Sequence, residues 1–152
     1  MDELEPVEHE VNIGLPAEAA FSRFVDELGE WWPPEYTWSG EVLERIGIEA
    51  RPDGSCFELG PHGFRCDWGR VVHWQPPEEL GFTWQIGAGR EPVPDAERAG
   101  VVELRFDGGE KDTRVGLRHH GFERYGEGAA GYRDAMASDQ GWPYILGRFV
   151  RV

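Results

Sequence analysis

Gly69-Arg70-Val71-Val72-His73-Trp74-Gln75-Pro76-Pro77-Glu78-Glu79-Leu80-Gly81-Phe82-Thr83-Trp84 is the stretch whose reading decides the fold. Its first half is a β-branched and aromatic run, which suits a pleated strand. Gln75-Pro76-Pro77-Glu78 then stops the strand, because proline fixes φ and offers no N–H to a ladder. After the turn, Leu80, Phe82 and Trp84 fall on one face at period two. Two strands joined by a short proline turn make an antiparallel hairpin with one covered face. His73 stands just before the turn, where a bulge would decide its direction.

Outward from this hairpin the same grammar repeats. Strands are expected at 39–46, 47–51, 55–59, 64–74, 80–87, 99–107 and 113–120. Pro52-Asp53-Gly54, Gly60-Pro61-His62-Gly63 and Asp107-Gly108-Gly109 supply the turns between them. Val102, Leu104 and Phe106 share a face, as do Val115, Leu117 and His119. The polar segment 87–100, GAGREPVPDAERAG, is longer than a hairpin loop and reads as a rim or lid. Upstream, Val7, Val11, Ile13 and Leu15 alternate as a strand over 7–15. Pro16 then opens a helix whose stripe is Phe21, Phe24, Val25 and Leu28, with Gly29 as its stop. Trp31-Trp32-Pro33-Pro34 leaves the helix, with one tryptophan expected inside and the other near the surface. Downstream, Trp142, Ile145, Leu146 and Phe149 form a second helical stripe. Pro143 requires that helix to begin near 138–140 or to kink there. The order is strand, helix, six or seven strands and a closing helix. It defines an α+β domain spanning 1–152, a curved antiparallel sheet wrapped around a long C-terminal helix.

Composition narrows the function. The chain has 152 residues, 29 acidic and 15 basic, for a net charge of -14. Such a surface repels phosphate backbones and anionic lipids, so neither nucleic acid nor membrane is an expected partner. The acidic N-terminus lacks the plan of a signal peptide, which makes the cytoplasm the expected compartment. Cys56 and Cys66 would face each other if Pro61 marks a hairpin tip, but reduced thiols are expected there. With His62 they are too few for a zinc site, and no metal is expected.

Five segments carry a family likeness. The deciding stretch resembles the G-x-V-x-x-x-x-P-P-x-x-L-x-x-x-W segment of the activator of heat-shock-protein-90 ATPase-like family, within the START-like (SRPBCC) superfamily. Pro16-Ala17-Glu18-Ala19-Ala20-Phe21, Trp31-Trp32, Thr113 to Phe122 and Gly141-Trp142 with Leu146 and Phe149 resemble its other motifs in the right order. Asp53, Asp112 and Pro143 depart from its pattern. The resemblance implies a helix-grip (START-like, Bet v-like) fold with a cavity between sheet and last helix. Most of that superfamily bind apolar or aromatic small molecules there, and some are cyclases or aromatases.

The chemistry-bearing residues are aromatic. Seven Trp, eight Phe and four Tyr make 12% of the chain. Trp32, Trp38, Phe57, Trp68, Trp84, His119, Trp142, Tyr144 and Leu146 are the candidate ligand-binding residues. Their rings either line a cavity for a flat apolar ligand or fill it outright. His119 is expected to point inwards, either to a ligand or as a satisfied core histidine. His120 is expected to face solvent. Glu58 and Asp67 alternate with aromatic neighbours and are expected to face solvent too. Gly126-Glu127-Gly128-Ala129-Ala130-Gly131 matches G-x-G-x-x-G but lacks the βαβ unit that dinucleotide binding needs, and reads as a linker. No nucleophile elbow, H-E-x-x-H or P-loop occurs, so no catalytic residue and no cofactor is expected. Three roles follow: a binding protein for a small apolar or aromatic molecule; a cyclase- or aromatase-like enzyme using His119 and Tyr144; and, less favoured, a chaperone ATPase partner. A homodimer through an exposed sheet face stays open.

Overall fold

A computed structural model describes residues 3–151. Seven strands form one antiparallel sheet: β1 (Val7–Ile13), β2 (Arg45–Ile48), β3 (Ser55–Leu59), β4 (Arg65–Gln75), β5 (Glu79–Trp84), β6 (Gly100–Gly108) and β7 (Thr113–His120). Their order is β1-β7-β6-β5-β4-β3-β2, a meander whose last strand pairs with the first. The helices are α1 (Ala17–Val25), α2 (Leu28–Trp31), α3 (Ala129–Ala137) and α4 (Trp142–Phe149).

The deciding stretch forms β4 and β5 as expected. Trp74 sits opposite Leu80 and Gln75 opposite Glu79, with a cis bond between Pro76 and Pro77. The anticipated bulge lies between Val71 and His73, and His73 ends up outside, 2.7 Å from Glu79. Gly69 is required where β4 passes β5, since a Cβ there would lie 2.2 Å from the Thr83 carbonyl oxygen. Leu80, Phe82, Trp84, Val102, Leu104, Phe106, Val115, Leu117 and His119 all turn inwards and are buried. Each fully buried Leu or Phe contributes roughly 1.5–3 kcal/mol relative to exposure.

Four expectations change. The strands expected at 39–46 and 47–51 are one strand, β2. Ahead of it the chain makes 3₁₀ turns at Pro34–Tyr36 and Gly40–Val42, and Gly40 takes a φ of 53° that breaks an extended run. The first helix ends at Val25, and Gly29 lies inside α2 rather than stopping α1. Trp31 and Trp32 are both buried, because α2 turns the chain so that each ring reaches the core from a different side. Cys56 and Cys66 do not face each other. A bulge between Cys56 and Phe57 shifts the register, so Cys56 opposes Gly69 and Cys66 opposes Glu58. Both thiols are free, and burial raises the pKa of each.

The C-terminal helical segment is interrupted at 138–141. Gly141 packs against the Met136 backbone, where a Cβ would come within 2.2 Å of the carbonyl oxygen. Pro143 therefore falls in the first turn of α4, where its missing N–H costs nothing. Tyr132 and Met136 of α3 and Trp142, Ile145, Leu146 and Phe149 of α4 close the concave face.

Candidate functional site

Strand alternation, the end of α2 and the start of α4 bring four tryptophans and a histidine together. Trp32 stacks on Trp68 at 5.1 Å and 25°, Trp68 meets Trp84 edge-on at 6.1 Å, and Trp84 meets Trp142 at 5.0 Å. Where the family likeness implied a cavity, ring meets ring. Leu146 belongs to the same core.

His119 is locked at the deep end. Its Nδ1 accepts from Trp142 Nε1 at 3.0 Å, which puts the ring proton on Nε2, facing the Tyr125 hydroxyl at 3.2 Å. Tyr125 in turn donates to the Trp84 carbonyl at 2.7 Å. Beside it, Trp84 Nε1 donates to Tyr132, and Tyr132 donates to the Ile86 carbonyl. Burial, followed by the neighbouring His120, lowers the His119 pKa to about 3. A neutral imidazole with both nitrogens engaged orients its neighbours; it has no free lone pair for proton abstraction. Burial likewise raises the Tyr125 and Tyr132 phenols far above their ordinary value. His120 is half-buried rather than exposed, 3.2 Å from Glu103.

The other end is a mouth. Glu35, Tyr36, Arg90, Asp139, Gln140 and Tyr144 surround a hollow of about 320 Å³. Tyr144 donates to Glu35 at 2.6 Å. That bond lowers the Glu35 pKa and raises the Tyr144 pKa. Arg90 lies over the Tyr36 ring at 4.9 Å and donates to the Glu35 carbonyl. The Arg90 carbonyl accepts from Trp38 Nε1 at 2.6 Å, and Arg90 itself holds a φ of 64°, a left-handed conformation that L side chains rarely adopt. Tyr36 joins the two ends: its ring lies 6.1 Å from Trp84, and its carbonyl accepts from Trp32 Nε1 at 3.3 Å.

Of the sequence candidates, Trp38 and Tyr144 belong to the mouth and Phe57 lies outside both ends. Phe57 packs on the other face of β3, covered by the guanidinium groups of Arg45 and Arg65 at 5.6 and 5.1 Å. Tyr144 reaches the mouth and binds Glu35, while His119 is held by Trp142 and Tyr125, so the two do not form a pair. Glu58 corrects an expectation. It points inwards and is fully buried, accepting from the Trp38 and Ser39 backbone N–H groups at 2.9 Å each. The 3₁₀ segment before β2 has no strand to pair with, and this carboxylate supplies its missing acceptors. Asp67 is exposed as expected. Reading the sequence missed Glu35, Tyr36, Arg90, Tyr125 and Tyr132. Only the length and polarity of 87–100 pointed towards Arg90.

The chain belongs to the Activator of Hsp90 ATPase homolog 1-like protein family, whose profile matches residues 15–152. Its fold is the helix-grip fold. Among solved structures it is similar to the anthrahydroquino-γ-pyrone synthase Txn09, at 30% identity and a TM-score of 0.68 over 99% of this chain and 98% of that one. It is also similar to CalC, a self-sacrificing resistance protein from Micromonospora echinospora, at 25% identity and a TM-score of 0.64 over 95% and 91%. Protein NE0264 from Nitrosomonas europaea shares the fold at 14% identity and a TM-score of 0.65, over 98% and 94%. No curated protein matches in sequence.

Proposed function

We propose that this protein binds a flat, fused aromatic molecule of polyketide type at the mouth, against the Trp32–Trp68–Trp84 layer. The observation that carries this reading is the junction at Tyr36, where a polar hollow of about 320 Å³ adjoins a buried stack of indoles. That volume lies at the lower end of small-molecule sites, and stacked rings with a few polar groups at one end suit a planar ligand. The similarity to a synthase named for a fused aromatic pyrone supports the ligand class. The test is native mass spectrometry of protein purified from its own host. The expected result is an added mass that leaves on denaturation and absorbs as a fused aromatic. A chain that neither carries such a mass nor gains one from a panel of fused aromatics contradicts the proposal.

A cyclase-like activity is the second reading. The hydrogen-bonded Tyr144–Glu35 pair favours it, because a substrate carbonyl that displaces the Glu35 carboxylate at the mouth meets the phenol O–H as a donor. His119 has no part in this version, since both its nitrogens are occupied. Loss of turnover in Tyr144→Phe, with ligand affinity retained, is the outcome expected of this reading.

A further inference from the structure

A second hollow, of about 350 Å³, lies outside the aromatic core, between α1 and the turn that joins β4 to β5. Local sequence builds it. α1 presents Glu18, Phe21, Ser22 and Val25 to it at i, i+3, i+4 and i+7, a single helical face. β4 supplies Trp74 near its end, and the turn beyond supplies Pro76 and Pro77. Ala50, just past β2, contributes only a methyl group and leaves the space open. Phe21 and Trp74 meet edge-on at 5.4 Å and 67°, so two aromatic rings form a corner. Phe21 is buried and anchors that corner, whereas Trp74 is half-buried.

The charges around this corner have one sign. Glu18 and Asp26 are exposed at the edge of the hollow, and no basic side chain lines it. The mouth, by contrast, contains Arg90, and the hollow on the outer face of the sheet contains Arg105 and Arg118. Among the described residues neither Glu18 nor Asp26 has an ion-pair partner. Asp26 accepts from Ser22 Oγ at 2.9 Å. It is also the C-cap of α1, where backbone carbonyls concentrate negative charge and a cation is the favoured neighbour. Arg23, the base of that last turn, is turned away and donates to the carbonyls of Phe149 and Arg151.

We propose that this hollow binds a small organic ammonium ion, its charged head against the Trp74 ring and its charge balanced by Glu18 and Asp26. The site is separate from the mouth and does not depend on the ligand bound there. An indole face attracts a cation through its quadrupole. A neutral apolar guest would strip water from the carboxylates and give them no partner in return. An anion would meet both carboxylates and a chain of net charge -14. An alkylated ammonium satisfies wall and rim together, because it is apolar outside and charged at its centre.

The test is calorimetric titration of the full chain with choline and with its neutral isostere, 3,3-dimethylbutan-1-ol, at constant ionic strength. The wild type is expected to bind choline about tenfold more tightly, from the indole face and the two carboxylates combined. Glu18→Gln/Asp26→Asn should erase that preference with the melting temperature unchanged, since both side chains are exposed. Trp74→Leu should weaken choline binding severalfold. Glu8→Gln/Glu10→Gln removes the same charge from the outer face of β1 and should leave choline binding as it was. Equal wild-type affinities, a preference that survives loss of both carboxylates, or an equal loss in the Glu8 and Glu10 variant overturns the proposal. So does choline affinity unmoved by Trp74→Leu, or no binding through the millimolar range. Should Trp74→Leu fail to fold, the paired carboxylate variants decide.

Discussion

The deep end of the aromatic core and its mouth use the same residue types to opposite effect. Around His119, each ring nitrogen and hydroxyl has a partner and all but Tyr125 are buried, so the network fixes one arrangement. Around Arg90, the partners are backbone carbonyls and exposed side chains, and one conformation is left-handed. Satisfied polar networks in low dielectric are rigid and expensive to break, whereas exposed pairs contribute little and exchange readily. The difference teaches where stability resides and where a ligand can be admitted.

The largest effect is expected at the deep end. His119→Leu strands the Trp142 N–H in an apolar core and should cost about 3 kcal/mol in urea unfolding. His119→Gln, which can accept from Trp142 and donate to Tyr125, should recover part of it. A deep end insensitive to both would erase the contrast. The same residue sets a pH dependence. Its folded pKa, about 3, lies below the unfolded value of 6.5, so the unfolded chain binds more protons between them. Its stabilising contribution is therefore complete above 6.5 and is lost as pH falls towards 3, by up to about 1.4 kcal/mol per pH unit. His119→Gln should flatten that part of the stability profile.

Glu58→Ala comes next and tests the link between the two ends. It removes the acceptor of two backbone N–H groups and should cost about 2 kcal/mol. Amide exchange at Trp38 and Ser39 should accelerate, while the amides flanking His119 stay protected. Arg90→Ala should change stability by less than about 1 kcal/mol. It should raise the dissociation rate of a bound aromatic severalfold. A large stability loss would mean that the mouth is as rigid as the core. The smallest effect is spectroscopic. In Glu35→Gln the Tyr144 phenol loses its anionic acceptor and should ionise at lower pH, read at 295 nm, with melting unchanged.

Much of the architecture was legible in local pattern. The Pro76–Pro77 turn, the alternation of Val115, Leu117 and His119 and the stripe of Trp142 to Phe149 each declare their element without distant partners. The 39–51 region was not legible, because β-branched and apolar residues there serve 3₁₀ turns as readily as a strand. Of the candidate site, Trp68, Trp84, Trp142 and His119 converge because each lies on a face that alternation or helical period defines, whereas Trp32 joins them only because α2 turns the chain. Phe57 and Glu58 exchanged faces relative to expectation. Their direction depends on the bulge at Cys56, and no one strand contains the information for its own register.

The sequence by itself determined six of the seven strands, β2 excepted, with the start or kink near 138–140 and the inward aim of His119, because these follow from φ preferences and periodicity within a few residues. Only the tertiary structure decided that the rings meet one another and that Glu35, Tyr36, Arg90 and Tyr144 share a mouth. Those facts depend on distances between segments up to 109 positions apart, and hydrophobic pattern specifies which face is buried without specifying which atoms touch.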